Sequence, residues 1–89
     1  MTIQVVCAVF DQCVSAYAKP FFVPTDRAAV RSFVDEVRRQ SPENLLFVHP
    51  EDYSLYKLAT YDEDTGRFVC LEPPELLARA ASFAIDKEG

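Results

Sequence analysis

Two strand-like runs joined by the strongest turn signal in the chain lie in residues 51–69, EDYSLYKLATYDEDTGRFV. Residues 53–61 alternate small or charged side chains with bulky ones and are rich in aromatic residues, and residues 67–71 continue this character. In the DEDTG segment between them, Asp and Thr can hydrogen-bond the local backbone, and Gly66 can adopt a positive φ at low cost. The stretch therefore predicts a β-hairpin whose loop of about three to five residues ends on a left-handed glycine, with a bulge.

The acidic residues of this turn, Asp62, Glu63 and Asp64, raise the question of a cation site. An EF-hand, however, spreads its ligands over a loop of about twelve residues. Because the acidic run is far shorter, we interpret it as a solvated turn.

Length and composition predict one domain, residues 1–89, with apolar surface to spare. A chain of 89 residues buries only about 60 to 65% of the surface that its unfolded form exposes. The hydrophobic content of 49% leaves apolar surface for a partner or a second copy. We therefore expect a homodimer or a higher oligomer.

The net charge of −5 and the pI of about 4.7 exclude one class of function. An acidic protein repels polyanions at long range, so it does not bind DNA by bulk electrostatic attraction. Only a local basic patch is compatible with DNA binding.

The cysteines and the histidine indicate no catalytic or metal chemistry. Cys7, Cys13 and Cys70 are odd in number and lack paired spacing, so we expect reduced, buried thiols rather than disulfides or a zinc site. His49 lies between a valine and a proline and is more typical of a loop than of a metal ligand or a general base. We expect no enzyme activity, no metal and no cofactor.

The termini and hydropathy indicate a cytosolic protein. The first residues lack the basic region of a signal peptide, and no apolar run approaches the roughly 18 residues that span a membrane. We expect no membrane partner.

The N-terminal half predicts two strands and a helix. Residues 3–10, IQVVCAVF, are apolar at nearly every position and suit a central strand that is covered on both faces. Residues 13–22 alternate in polarity and predict a second, antiparallel strand that Pro20 ends or bends. Thr25 or Asp26 then starts a helix to about Gln40. Its apolar stripe consists of Ala29, Val30, Phe33, Val34 and Val37.

The charged side of this helix has two interpretations. Arg31 and Asp35 are four residues apart, as are Asp35 and Arg39, which favours a solvated face with ion pairs. The alternative is an anion-binding face.

The C-terminal half predicts a second helix after the hairpin. Residues 45–48 are either a loop packed on the core or a short extra strand. Glu72, Pro73 and Pro74 are typical of a helix start, and an apolar side follows in residues 76–84. Residues 86–89 are expected to be a frayed tail. The order β-β-α-β-β-α predicts an α+β fold with a four-stranded antiparallel sheet and helices on one face.

The other face of this sheet is the candidate for function. If both helices cover one face, Tyr17, Lys19, Tyr56 and Lys57 are candidates for the open one. Aromatic rings beside basic side chains can stack bases and hold phosphates, as in single-strand binders. The same residues are also compatible with a dimer interface.

Two segments, PFFVPTDRAAVRSF at residues 20–33 and HPEDYSLYKLATYDEDTGRF at residues 49–68, carry a family resemblance. They resemble the small nonstructural protein of gokushovirus-type microviruses, which are phages with single-stranded circular DNA. The positions that match are Ala29, Arg31, Phe33, Pro50, Asp52, Tyr53, Leu55, Asp62, Gly66 and Phe68. Ala59 departs from the pattern by replacing a glycine.

The resemblance implies a phage early protein of the host cytoplasm that acts in viral genome synthesis and packaging. Our hypothesis is a non-enzymatic oligomer that binds single-stranded DNA or the replication machinery, with viral replication or capsid proteins as possible partners. The alternative is an oligomeric protein-interaction adaptor without nucleic-acid binding. If DNA is bound, we expect a local contact built from Tyr17, Lys19, Arg31, Tyr56, Lys57 and Arg67.

Overall fold

The computed structural model describes residues 2–85, in which a five-stranded antiparallel sheet packs against a helix of 13 residues. The strands are β1 (Ile3–Asp11), β2 (Ala16–Tyr17), β3 (Phe21–Val23), β4 (Tyr53–Asp62) and β5 (Arg67–Arg79). The helices are α1 (Asp26–Arg38) and α2 (Leu45–Val48), and 3-10 turns lie at Pro50–Asp52 and Ala80–Phe83. The predicted α+β class is confirmed. The predicted β-β-α-β-β-α order with four strands is only partly confirmed, because the second predicted strand is divided into β2 and β3, α2 is additional, and β5 replaces the second predicted helix.

The sheet is built around β1, as the apolar run at residues 3–10 predicted. Its strand order is β2-β1-β4-β5, and β3 also pairs with β1. Strand β2 pairs with the C-terminal end of β1, whereas β3 pairs with its N-terminal half. The predicted second strand, residues 13–22, is therefore two short strands separated near Pro20, which has no backbone N–H to donate.

The β4–β5 hairpin has the predicted turn. Gly66 has a φ of +73° and donates its backbone N–H to the Asp62 carbonyl at 2.8 Å. The Asp62 carboxylate also accepts from the Asp64 N–H at 2.9 Å, which stabilises the turn from its acidic side. The bulge predicted with this turn is not beside it, because the register shifts of this strand pair lie farther along, between Leu55 and Tyr56 and between Lys57 and Ala59.

The predicted second helix is wrong, because β5 continues through that region. The strand runs for 13 residues and only then enters the 3-10 turn. Pro73 and Pro74 are tolerated because β5 pairs only with β4 within residues 2–85, and an edge strand has free positions for residues without an N–H. The register passes from Ala59↔Cys70 to Lys57↔Glu75, so residues 71–74 form an irregular insertion.

Residues 45–48 are a short helix, so the expected loop or extra strand is also wrong. Asn44 caps α2 by accepting from the Leu46 N–H at 3.2 Å. Its side-chain amide donates to the carbonyls of Glu36 and Arg39 at 2.7 and 2.9 Å. These bonds join the start of α2 to the end of α1 and satisfy a buried polar side chain.

The main core lies between α1 and one face of the sheet. Thr25 caps the helix, as predicted, by accepting from the Ala28 N–H at 3.0 Å. The buried positions of α1 are Ala29, Phe33 and Val37, which pack with Val5, Cys7, Leu55, Ala78 and Ala80. Leu46 of α2 and Phe83 of the final turn pack against the same core, so the helical elements share one side of the sheet. None of the helices in residues 2–85 has the length and apolar character to cross a bilayer.

Candidate nucleic-acid interface

Alternation along the strands divides the sheet into two faces. Val5 and Cys7 of β1 belong to the α1 core, so Val6, Ala8 and Phe10 point to the other side. We call that side the helix-free face, because the helical elements of residues 2–85 pack on the opposite one. By register, the helix-free face carries Val6, Ala8, Phe10, Tyr17, Phe22, Tyr56, Ala59, Tyr61 and Phe68.

Three aromatic rings meet at one end of the helix-free face. Phe10 is the cross-strand partner of Tyr17, with ring centroids 4.9 Å apart. Tyr56 on β4 lies 5.7 Å from Tyr17 and 6.1 Å from Phe10. All these contacts have the edge-to-face geometry that aromatic quadrupoles favour. We call this group the Tyr17 cluster; the Tyr17 residue itself is 44% exposed.

Three more rings meet at the other end, beside the β4–β5 turn. Tyr61 lies 5.6 Å from Phe22 and 4.7 Å from Phe68, and Phe22 lies 6.2 Å from Phe68. We call this group the Phe68 cluster. Phe22 is 50% exposed and Phe68 is 54% exposed, so both offer ring surface to a ligand. The cluster lines an open cleft of about 500 Å³ together with Gln4, Glu63 and Gly66.

Small buried side chains separate the two clusters. Val6, Ala8 and Ala59 lie between them by register, and all three are buried although they do not belong to the α1 core. Five to six residues of strand connect the clusters, which corresponds to about 15 to 20 Å. The clusters are therefore distinct sites on one face.

A basic end adjoins the Tyr17 cluster. Arg79 is the cross-strand partner of Ser54, which is itself opposite Phe10, so Arg79 shares the helix-free face. Lys19 follows Tyr17 by two residues in the exposed connection between β2 and β3. Within residues 2–85, neither cation has a carboxylate at ion-pair distance. They are available to phosphate oxygens.

The carboxylate of Asp11, at the end of β1 next to Phe10, interacts with groups outside the Tyr17 cluster. Asp11 accepts from the Cys13 N–H at 2.9 Å. Burial raises the pKa of the Tyr53 hydroxyl, and the charge and hydrogen bond of Asp11 raise it further. Asp11 and Tyr53 are cross-strand partners, and alternation places them on the side away from Phe10. Asp11 therefore does not cover the Tyr17 cluster.

An acidic end adjoins the Phe68 cluster. Glu63 lines the cleft, and Asp64 follows it in the turn. The helix-free face thus carries opposite charges at its two ends.

The structure brings together two of the six residues expected to contact DNA. Tyr17 and Tyr56 are in direct contact, whereas Lys19 is near Tyr17 in sequence but lies outside the strands. The prediction that Lys57 lies on the open face is wrong. Its ammonium lies 3.1 Å from Asp26 at the start of α1, and its side chain is only 18% exposed.

Arg31 and Arg67 also lie away from the Tyr17 cluster. Arg31 is exposed on α1, which covers the opposite face. Arg67 begins β5 opposite Asp62, and because Phe68 points to the helix-free face, alternation directs Arg67 to the other. Phe10 and Arg79 are the residues that the sequence did not single out.

The helix-covered face holds the buried thiol. The pKa of Cys7 is raised to about 11, chiefly by burial and also by the nearby Asp26 charge, while the Lys57 charge opposes the shift. Cys13 and Cys70 are exposed, so the expectation of buried thiols holds for Cys7 alone.

His49 lies in the loop position that the sequence predicted. Its Nδ1 is 3.6 Å from a Glu51 carboxylate oxygen, and both side chains are more than half exposed. In the part of the chain that the structure describes, no three metal-ligating side chains form a group. The absence of metal and of enzyme activity stays a prediction.

Comparison with known families places this sheet protein among the proteins of bacteriophages. The family model described as Phage ORF5 protein matches residues 4–83, and the chain belongs to that family. No curated protein and no solved structure matches it.

Proposed function

We propose that this protein is a non-enzymatic phage protein that binds viral single-stranded DNA through the Tyr17 cluster. It would act in the host cytoplasm during genome synthesis and packaging, as the resemblance to gokushovirus-type microviruses implies. One observation carries the proposal: an aromatic cluster with an exposed tyrosine shares a sheet face without helices with Arg79, and Lys19 follows that tyrosine by two residues.

Stacking supplies the main attraction in this proposal. A base stacked on an aromatic side chain contributes about 1 to 3 kcal/mol, and it does so with little sequence preference. Tyr17 presents the most exposed ring surface of its cluster, while Phe10 and Tyr56 hold it by edge contacts. A platform that is fixed before binding loses less side-chain entropy when the base arrives.

Electrostatics sets the strength and the salt dependence of binding. Arg79 and Lys19 are the basic residues of the Tyr17 end, so at most about two phosphates are neutralised there. Each neutralised phosphate on a single strand contributes about 0.7 to the log-log salt slope, which predicts a slope near −1.4. With a net charge of −5, we expect weak binding, with dissociation constants of roughly 1 to 100 µM at low salt.

Anisotropy of a labelled oligo-dT at low salt tests the proposal. Tyr17→Ala combined with Tyr56→Ala should weaken binding by at least about fivefold, because stacking is lost. Arg79→Glu should weaken binding and reduce the salt slope by about 0.7. Arg31→Glu makes the same change of charge on the helix side and should leave affinity nearly unchanged.

The adaptor hypothesis predicts a different result. If the unmodified protein shows no binding up to roughly 100 µM, DNA is not its ligand and a protein partner becomes the better proposal. If binding is present but insensitive to the tyrosine substitutions and to Arg79→Glu, DNA binds another surface.

We also propose that the protein is a homodimer joined at the outer edge of β5. Within residues 2–85 this strand pairs only with β4, and Val69 near its start is exposed. Edge-to-edge pairing of two copies would satisfy the free backbone groups and leave both helix-free faces open. Light scattering should give twice the 10.1 kDa chain mass, and Val69→Pro should shift the protein to monomer. A monodisperse monomer of the unmodified protein would contradict this part of the proposal.

A further inference from the structure

We propose that the cleft of the Phe68 cluster binds an arginine or lysine side chain from a basic segment of a protein partner. The proposal concerns the end of the helix-free face away from Arg79. It stands on different residues from the DNA proposal.

The ring arrangement suits a cation. A guanidinium or ammonium group is attracted to the face of an aromatic ring within about 6 Å of its centroid. The centroids of the Phe68 cluster lie 4.7 to 6.2 Å apart, so a single cation can contact more than one ring. The rings are inclined to each other by 42° to 77° and do not form a flat stack, so a cation in the cleft can approach them from more than one direction.

The charge of the cleft selects a cation over a phosphate. Glu63 lines the cleft, and within residues 2–85 no basic side chain forms an ion pair with it. Asp64 follows Glu63 in the turn and adds a second carboxylate near this end, whereas alternation directs Asp62 to the other side of β4. A nucleic-acid strand at this end would place phosphates beside carboxylates, whereas a basic side chain would gain both ring and carboxylate contacts.

The dimensions of the cleft suit a side chain presented by another protein. Its volume of about 500 Å³ exceeds what a guanidinium with its methylene stem requires, so flanking residues of the partner can also enter. The wall at Gly66 is open, because a Cβ placed there would meet no atom within 4 Å. Arginine should bind better than lysine, since its planar group stacks on rings and pairs with a carboxylate at once.

The test uses a labelled, end-capped peptide of glycine, serine and arginine, titrated with the full-length protein at low salt. Phe68→Leu keeps the apolar bulk and removes the ring, and it should weaken binding roughly two- to fivefold. Phe68→Trp should retain or strengthen binding, because tryptophan is the best cation–π partner. Glu63→Gln should weaken binding by a similar factor, and circular dichroism confirms that each variant is folded.

Matched controls distinguish peptide binding in this cleft from general attraction of a basic peptide to an acidic protein. Glu43→Gln removes the same charge from the exposed segment before α2 and should leave peptide binding unchanged. The peptide with citrulline in place of arginine keeps the shape and loses the charge, and it should bind more weakly. Tyr17→Ala should not affect the peptide, just as Phe68→Leu should not weaken oligo-dT binding.

Three results of the peptide titrations would each overturn the inference. They are equal binding of the citrulline peptide, equal losses for Glu43→Gln and Glu63→Gln, and peptide binding that Phe68→Leu leaves intact. If Phe68→Leu instead converts a dimer to a monomer, the cleft is occupied by a second copy and the inference is also wrong. Failure of oligo-dT binding in the unmodified protein removes the DNA proposal only.

Discussion

The two faces of the sheet use large side chains in opposite ways. On the face that α1 covers, Phe33 is 4% exposed and packs among aliphatic and small residues, whereas on the helix-free face Phe68 is 54% exposed. The covered face accommodates its one described ion pair, between Lys57 and Asp26, at the rim of the core. The helix-free face instead places charges at its two ends, beside exposed rings.

This difference indicates which side chains stabilise the fold and which are available to ligands. A buried ring contributes its full transfer and packing free energy to folding. A half-exposed ring contributes less and retains surface for a partner. Substitutions on the two faces should therefore separate stability from binding.

The largest expected effect contrasts Phe33 with Phe68. Phe33→Ala leaves a cavity beneath α1 and should lower the free energy of unfolding by about 3 to 5 kcal/mol, whereas Phe68→Ala should cost less than about 1 kcal/mol. Urea denaturation followed by circular dichroism measures both. The loss expected for Phe33→Ala approaches the total free energy of unfolding of a small domain. Phe33→Leu compared with Phe68→Leu therefore provides a milder matched pair. Equal losses on the two faces would break the comparison.

The next effect uses the buried thiol of the covered face. The pKa of Cys7 is raised from 9.0 to about 11 in the folded protein, so the neutral thiol is favoured by folding. The contribution of the buried Cys7 thiol to the free energy of unfolding is fully present below pH 9. It is lost as the pH rises toward 11, because over this interval the thiol ionises readily only in the unfolded state. The stability difference between the unmodified protein and Cys7→Ala should shrink by roughly 2 to 3 kcal/mol over this interval. Urea denaturation in a reducing buffer at several pH values tests this, and a constant difference would contradict it.

A smaller effect concerns the helix that makes the two faces different. Thr25→Ala removes the hydrogen bond to the Ala28 N–H and should cost about 1 kcal/mol. Thr25→Ser keeps the acceptor and should cost clearly less. Thermal unfolding of both variants measures the difference, and oligo-dT affinity should stay unchanged because α1 does not contact the helix-free face.

The sequence predicted the elements whose signals are local. The turn at Gly66, the cap at Thr25 and the apolar run of β1 are each specified by neighbouring residues, and each was confirmed. The prediction of a second helix was wrong for a physical reason. Pro73 and Pro74 suit a helix start and an edge strand equally well, and pairing with β4, which decides between them, is a long-range contact.

The residues of the candidate site also differ in whether local sequence signals predicted them. Tyr17 and Tyr56 were predicted from their strand context, but Phe10 was hidden in an apolar run that indicated only a core strand. Arg79 was hidden because it fell in the helix that does not form. The position of Lys57 was predictable, since adjacent residues of a strand point to opposite faces and Tyr56 was already assigned to the open one.

Photo-crosslinking tests the central claim, that the Tyr17 cluster is where single-stranded DNA binds. An oligo-dT substituted with 5-iodouracil is irradiated with the full-length protein, and the adducts are located by mass spectrometry. We predict adducts on Tyr17, Tyr56 or Phe10 and on no residue of α1. Adducts concentrated on α1 around Arg31, or no adduct with protein at roughly 100 µM, would contradict the account.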